Sequence, residues 1–114
     1  MSDPYTERIA AVRVRFVAKL DARIGEIETA LPQSGRQVGL ETLTVAHREA
    51  HGLCGIGPVL GYVETGKAAR TVERVLLGAV KAKRALTDDE TVRVREGIAL
   101  LRSTAAGEVS GQLQ

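Results

Sequence analysis

The 114-residue sequence has few aromatic residues, a single cysteine and no long apolar run. Aromatic residues make up 3% of the chain, so a hydrophobic core has to be built mainly from aliphatic side chains. One cysteine, Cys54, cannot form an intramolecular disulfide, which favours a reducing compartment. No segment approaches the roughly 20 apolar residues that span a bilayer, and polar residues 1–7 do not resemble a secretory leader. These absences predict a soluble, cytoplasmic protein with no membrane partner.

The sequence also lacks a large excess of charge of one sign. The chain carries 16 basic and 14 acidic residues, for a formal net charge of +2. The basic residues are scattered and have no aromatic neighbours on which bases could stack, so we expect no nucleic-acid partner. A chain of this length fits one domain, residues 1–114, and buries roughly two-thirds of its unfolded surface. That is enough for a core without metal or disulfide support.

Helical periodicity dominates the sequence. Four segments carry apolar residues at steps of three and four, and they run from Asp3-Pro4 to Pro32, from about Leu40 to at least Gly55, from Tyr62 to Arg84 and from Thr87 to about Ala106. Asp3 is a predicted N-cap with Pro4 at the first helical position, and Thr87 and Glu90 form a predicted capping box. The four apolar faces are Ile9, Val12, Phe16, Leu20, Ile24, Ile27 and Leu31; Leu43, Ala46, Ala50 and Leu53, continued by Gly57 and Leu60; Ala69, Val72, Leu76 and Ala79; and Val94, Ile98, Leu101 and Ala105.

Four amphipathic helices joined by short loops predict an all-α fold, an up-down-up-down antiparallel four-helix bundle. No segment alternates with period two over a convincing length. The ordered core is expected over about residues 4–106, and the Gly- and Ser-bearing tail 107–114 is expected to fray. A bundle of this kind does not specify a function, which has to come from a site.

Residues 46–61 contain both histidines, the cysteine and several glycines within a helical pattern. At about 100° per residue, His51 lies roughly 130° from the direction of the apolar face of its helix, so it is predicted to be exposed. Glycine inside a helix costs about 0.8–1 kcal/mol relative to alanine. Gly55 follows His51 by one turn and leaves the imidazole open to another protein, and Gly52 is expected to add to this clearance.

The run His51-Gly52-Leu53-Cys54-Gly55, followed by Gly61 and preceded by Ala50, resembles the motif H-x-L-K-G-x-x-x-x-x-G of histidine-containing phosphotransfer (HPt) domains. Residues 69–73, Ala-Arg-Thr-Val-Glu, are similar to the A-x-x-L-E stretch on that family's next helix. The resemblance covers the motif helix closely and the rest of the chain by helix order and length.

The resemblance implies a phosphorelay carrier that works with response-regulator receiver domains and a hybrid histidine kinase. His51 would take the phosphoryl group on Nε2, Leu53 would anchor the helix inward, and Gly55 would give access. The resemblance also implies a monomer without ATP-dependent kinase activity. The reacting aspartates and Mg²⁺ belong to the receiver, so the carrier needs no cofactor of its own.

Two departures from the motif affect the predicted site. Cys54 stands where the family usually has a lysine, so a cation that neutralises the phosphoryl group is lost. Arg48, one turn before His51, is a candidate replacement, as are Arg70 and Lys67 on the next helix. The second departure is Pro58, which removes a backbone hydrogen bond and predicts a kink or a restart of the helix at Gly57-Pro58. The predicted partner surface consists of Thr44, Arg48, His51, Gly55 and Pro58.

Two other functions stay open at this level. His47, His51 and Cys54 are spaced by four and three residues, which can present three ligands to one metal ion. The zinc-protease order H-E-x-x-H is excluded, because Glu49 comes one place too late. A receiver-binding scaffold without phosphotransfer also stays open, because Cys54 replaces the lysine. The dimerisation helix of a histidine kinase is disfavoured, because Gly52 and not an acidic residue follows His51.

Overall fold

The computed structural model describes residues 3–112, which form four α-helices. These are α1 (Pro4–Glu28), α2 (Leu40–Val59), α3 (Val63–Ala82) and α4 (Asp88–Gln112). Consecutive helices pack against each other, α1 also packs against α4, and the α2–α3 contact is the most extensive. This arrangement confirms the predicted up-down-up-down bundle. Its extents are 54 × 22 × 20 Å.

The core is largely aliphatic, as the low aromatic content predicted. The inward-facing residues predicted for α2, α3 and α4 are all buried, whereas Ile9, Val12 and Leu31 of the first predicted face are half-buried. Phe16 and Tyr62 supply one stacked aromatic pair, with ring centroids 5.3 Å apart. Between residues 3 and 112, no helix has the length and apolar character needed to cross a membrane.

Helix α1 begins as predicted and ends earlier than predicted. The Asp3 carboxylate accepts a hydrogen bond from the Thr6 backbone N–H at 2.8 Å, and this bond lowers the pKa of Asp3. The helix ends at Glu28, before the predicted end at Pro32. The N–H groups of Ala30 and Leu31 bond to the carbonyls three residues before them, which tightens the last turn. The proline also disfavours a helical conformation at Leu31.

The helix α2 is continuous through Gly57-Pro58 to Val59, so the predicted restart there does not occur. Pro58 lies in the last turn, where losing one helical hydrogen bond interrupts little. The helix then ends in a Schellman motif: Tyr62 N–H donates to the Gly57 carbonyl at 2.8 Å and Gly61 N–H to the Pro58 carbonyl at 3.1 Å. Gly61 has a φ of +97°, a left-handed conformation that favours glycine.

The capping box at the start of α4 is confirmed. Thr87 N–H donates to Glu90 Oε1 at 2.9 Å, and Glu90 N–H donates to Thr87 Oγ1 at 3.1 Å. The Arg84 guanidinium beside Glu90, together with the Thr87 amide, lowers the pKa of Glu90 to about 2. Helix α3 ends at Ala82, before the predicted end, because Lys83 takes up a left-handed conformation with a φ of +54°.

The prediction of a frayed tail is wrong for residues 107–112, which are helical and belong to α4. The reason lies in Glu108, whose Oε1 accepts hydrogen bonds from the Thr65 N–H at 2.6 Å and the Thr65 hydroxyl at 2.7 Å. Its Oε2 accepts the Glu64 N–H at 3.1 Å. A side chain of α4 therefore caps the first turn of α3 and ties the end of the chain to the bundle. Residues 113–114 of the expected tail lie outside the described residues.

Candidate functional site

His51 stands on the solvent face of α2. Its side chain is 73% exposed, whereas Ala50 and Leu53 on the opposite face are fully buried. This confirms the predicted orientation of the histidine. The buried pair fixes α2 against the bundle core, so the imidazole projects from a rigid support.

Glu73 of α3 bonds to both histidines of α2. Its Oε1 lies 3.2 Å from His47 Nε2 and 3.3 Å from His51 Nδ1. The two imidazole rings are stacked at a 23° angle with centroids 6.0 Å apart. The Glu73 and His47 side chains are only 14% and 18% exposed. We call His47, His51 and Glu73 the imidazole cluster.

The imidazole cluster favours one tautomer of the His51 ring. A carboxylate accepts hydrogen bonds, so the contact with Glu73 favours a proton on His51 Nδ1. A neutral ring protonated on Nδ1 carries its lone pair on Nε2. The hydrogen bond therefore leaves Nε2 as the nucleophilic atom, on the side of the ring away from Glu73.

A hollow of about 300 Å³ lies beside the ring, between α2 and α3. It is lined by His51, Cys54, Gly55, Arg70, Glu73 and Arg74. Arg70 and Arg74 are exposed, so their guanidinium groups supply positive charge at the edge of the hollow. A guanidinium binds phosphoryl oxygens well because its donors form a planar fork.

Cys54 contributes a neutral thiol to this hollow. Burial raises the pKa of the thiol, the negative charge of Glu73 raises it further, and a hydrogen bond and charge from Arg70 oppose both effects only in part. The ordinary value of 9.0 is already above neutral pH. Cys54 therefore supplies neither a cation nor a thiolate nucleophile at pH 7.

The glycines of the motif have different roles. A side chain at Gly55 would meet no atom within 4 Å, so this position is open to solvent, as predicted. Gly52 is different, because a Cβ there would lie 2.8 Å from the guanidinium of Arg23 in α1. That guanidinium bonds to Glu49 at 3.1 Å. Gly52 makes room for an α1–α2 ion pair, which corrects its expected role beside His51.

Of the predicted site residues, some share a hollow with His51 and others line a second hollow on the same helix. Cys54, Gly55 and Arg70 share the hollow with His51. Thr44 and Arg48 line a different hollow near the start of α2. The Thr44 hydroxyl there donates to the Leu40 carbonyl at 2.8 Å. Two further residues lie elsewhere: Pro58 is exposed near Gly66 of α3, and Lys67 pairs with Glu64 at 3.3 Å.

The metal alternative gains no support from the geometry. Within residues 3–112, no group of three or more His, Cys, Asp or Glu side chains is arranged to hold a metal ion. The imidazole cluster instead pairs its ring nitrogens with one carboxylate oxygen, and Cys54 lies toward Arg70. His47 lies half-buried at the edge of the core, and its Nε2 atom bonds to Glu73.

Sequence reasoning missed Glu73 and Arg74 as members of the site. Glu73 did appear in the stretch that resembles the family's A-x-x-L-E, without a role. Helix geometry offered a further signal, because Glu73 follows the inward-facing Ala69 by four residues and Val72 by one. A carboxylate at that flank of α3 faces a neighbouring helix, which here is α2.

Comparisons of the chain with protein-family models, with curated proteins and with solved structures find no match.

Proposed function

We propose that this chain is a phosphocarrier of the HPt type, which holds a phosphoryl group on His51 Nε2. The observation that carries the proposal is the hydrogen bond between His51 Nδ1 and the largely buried Glu73, on a ring that is 73% exposed. A surface histidine without function needs no such partner. Here the partner leaves Nε2 unprotonated and accessible, which are the two conditions for attack on phosphorus.

The proposed reaction exchanges one bond to phosphorus for another. The Nε2 lone pair attacks the phosphorus of a receiver's aspartyl phosphate, the bond to the aspartate oxygen breaks, and the aspartate leaves as a carboxylate. The ring proton stays on Nδ1, where Glu73 stabilises the positive charge that develops on the ring. The reverse steps pass the phosphoryl group to a second receiver. The chain is thus a transfer intermediate and has no kinase activity of its own.

The charge on the phosphoryl group is balanced from α3 in this proposal. Arg70 and Arg74 line the hollow beside His51, whereas Arg48 lies in another hollow. Phosphoryl transfer depends mainly on positioning and on compensation of charge at the equatorial oxygens. We therefore assign to Arg70 and Arg74 the role of the lysine that Cys54 replaces. The Mg²⁺ of the reaction belongs to the receiver, a cytoplasmic partner.

The test is phosphoryl transfer from receiver domains loaded with radiolabelled phosphate, with wild type compared with His51→Gln. Acid-labile label on the wild type that is missing from the variant supports the proposal. Phosphoramidate, a small donor, provides a second assay that needs no matching receiver. A folded wild type that is labelled by neither donor overturns the carrier function. Receiver binding that persists in His51→Gln without any labelling of the wild type would identify a scaffold.

A further inference from the structure

Glu73 has two possible sets of partners, and the structure uses only one. Its carboxylate bonds to the imidazoles of α2. Yet Arg70 and Arg74, three residues before it and one after it, line the same hollow. A carboxylate on three rotatable bonds can swing toward a neighbouring guanidinium, and such a pair is at least as strong as a bond to a neutral imidazole. Something must hold Glu73 toward α2.

We propose that His47 is a positioning residue, which holds the Glu73 carboxylate against His51 and so selects the ring nitrogen that reacts. The proposal rests on the phosphocarrier function of the chain. His47 Nε2 lies 3.2 Å from the same Oε1 atom that contacts His51 Nδ1. Because both rings bond to one oxygen, fixing that oxygen through one ring fixes it for the other.

The burial of the two rings separates their roles. The His47 side chain is 18% exposed, whereas that of His51 is 73% exposed. A packed side chain has few rotamers available, so the bond between His47 and Glu73 costs little further entropy. The exposed ring of His51 cannot anchor the carboxylate in the same way. His47 therefore anchors Glu73, and Glu73 in turn orients His51.

This arrangement also affects the arginines. With Glu73 Oε1 held by His47, the carboxylate is directed toward the imidazoles, and Arg70 and Arg74 are exposed beside the ring of His51. Without His47, we expect Glu73 to pair with a guanidinium. His51 then loses the acceptor for its Nδ1 proton, and one guanidinium is no longer free to bind a phosphoryl group. Both changes slow attack on a phosphoryl group.

A pair of substitutions isolates the hydrogen bond from packing. His47→Leu removes the donor at similar volume, and His47→Gln keeps an N–H donor at about the position of Nε2. The first measurement is the tautomer of His51 by two-bond proton–nitrogen correlation NMR near pH 8, where an ordinary imidazole is neutral. We expect the Nδ1–H form in wild type and His47→Gln, and a shift toward Nε2–H in His47→Leu.

The second measurement is the rate of phosphorylation by phosphoramidate. We expect His47→Leu to be slower by about tenfold, a loss typical of removing the outer partner of a functional histidine. His47→Gln should retain most of the wild-type rate. Circular dichroism establishes that the variants are folded, and His47→Met replaces His47→Leu if the leucine variant is not.

The two measurements separate this proposal from the phosphocarrier function. A His51 tautomer that is unchanged in a folded His47→Leu variant overturns the positioning role, even if the wild type is phosphorylated. A tautomer shift in a protein that no donor phosphorylates supports the positioning role and overturns the carrier function. A tautomer shift that occurs in His47→Gln as well as in His47→Leu also counts against the role, because the shift would then reflect altered packing and not the lost hydrogen bond.

Discussion

Two clusters centred on a glutamate connect the helices of this bundle, and they differ in what donates to the carboxylate. In the imidazole cluster, Glu73 accepts from two histidine rings at 3.2 and 3.3 Å. In what we call the capping cluster, Glu108 accepts from the amides of Glu64 and Thr65 and from the Thr65 hydroxyl, at 2.6–3.1 Å. One set of donors can change protonation and tautomer, whereas the other is fixed.

The pairing of donor and carboxylate indicates the role of each cluster. Backbone amides at the start of a helix always need an acceptor, so supplying one stabilises the fold. Burial tends to raise the pKa of Glu108, but the hydrogen bonds from Thr65 and Glu64 outweigh this effect and lower it. The exposed imidazole of His51 can bond to water instead, so its bond to Glu73 adds little to stability. In the proposed function, the bond from Glu73 to His51 instead selects the ring nitrogen that reacts.

The largest expected effect is the loss of phosphoryl transfer in Glu73→Ala. Without the carboxylate, His51 Nδ1 has no fixed acceptor, and the developing ring charge is not stabilised. We expect transfer from a phospho-receiver to slow roughly a hundredfold, which is in the range for a group that assists proton placement. The free energy of unfolding, measured by urea denaturation, should fall by only about 1 kcal/mol, a typical net value for a hydrogen bond. Strong destabilisation with normal transfer in the folded fraction would contradict the division of roles.

The opposite pattern is expected for Glu108→Ala. This change leaves two backbone amides and the buried Thr65 hydroxyl without their acceptor. The expected cost is about 1–3 kcal/mol in the free energy of unfolding, measured by urea denaturation. Glu108→Gln keeps an acceptor oxygen and should recover part of the loss. The rate of phosphoryl transfer to the folded protein, measured at saturating concentration, should be unchanged in both variants. A slower rate would show that the capping cluster is coupled to the site.

The glycines near the two clusters allow a matched test of access. Gly55 and Gly107 are both helical and exposed, and a Cβ at either would meet nothing within 4 Å. We expect Gly55→Leu to slow transfer from a receiver domain about tenfold or more, a cost of roughly 1.4 kcal/mol from steric obstruction at the docked surface. Phosphorylation by phosphoramidate should be nearly unaffected, because a small donor does not cover the helix.

Gly107→Leu is the control for this test, since it makes the same chemical change beside the capping cluster. Neither substitution should destabilise the bundle, because leucine is a better helix former than glycine. Circular dichroism and urea unfolding check this. Equal transfer rates from the receiver in both variants would show that partners do not approach His51 across Gly55.

The fold was predictable from sequence because local signals and the apolar pattern agreed. Asp3 capped α1, the Thr87–Glu90 box began α4, and the exposure of His51 followed from helix geometry alone. Helix ends were less predictable where distant residues decide them. Residues 107–112 are helical because Glu108 bonds to Thr65, a contact between residues 43 positions apart.

Only the part of the site that lies on α2 was predictable from the sequence. His51, Gly55 and Cys54 follow each other along α2, so their arrangement follows from spacing. Arg48 was proposed by the same arithmetic, but the hollow beside His51 is completed by residues of α3, which helix spacing alone does not identify. The place of Glu73 depends on the register between α2 and α3, which packing across the whole interface sets. Sequence spacing within one helix contains no information on that register.

The smallest expected effect concerns Glu90, a third carboxylate that accepts hydrogen bonds, here from Arg84 and the Thr87 N–H. Its pKa is about 2 in the folded protein, against an ordinary value of 4.5, because Arg84 and the Thr87 amide stabilise the charged form. A depressed pKa stabilises the fold above pH 4.5, and this contribution is lost as the pH falls toward 2. Because Arg84 is 44% exposed, solvent screens the pair, and we expect the contribution to be about 1 kcal/mol.

The measurement for Glu90 is the free energy of unfolding of wild type and Glu90→Gln across that pH range. Asp3, Glu28 and Glu108 also have lowered pKa values and titrate in both proteins, so only the difference between the curves reports Glu90. The difference should be constant above pH 4.5 and should shrink as the pH falls toward 2. Raising the salt concentration should reduce it, since the partly exposed Arg84 is screened. Parallel curves at all pH values would mean that the Thr87–Glu90 hydrogen bonds, which glutamine can reproduce in part, stabilise the start of α4 without help from charge.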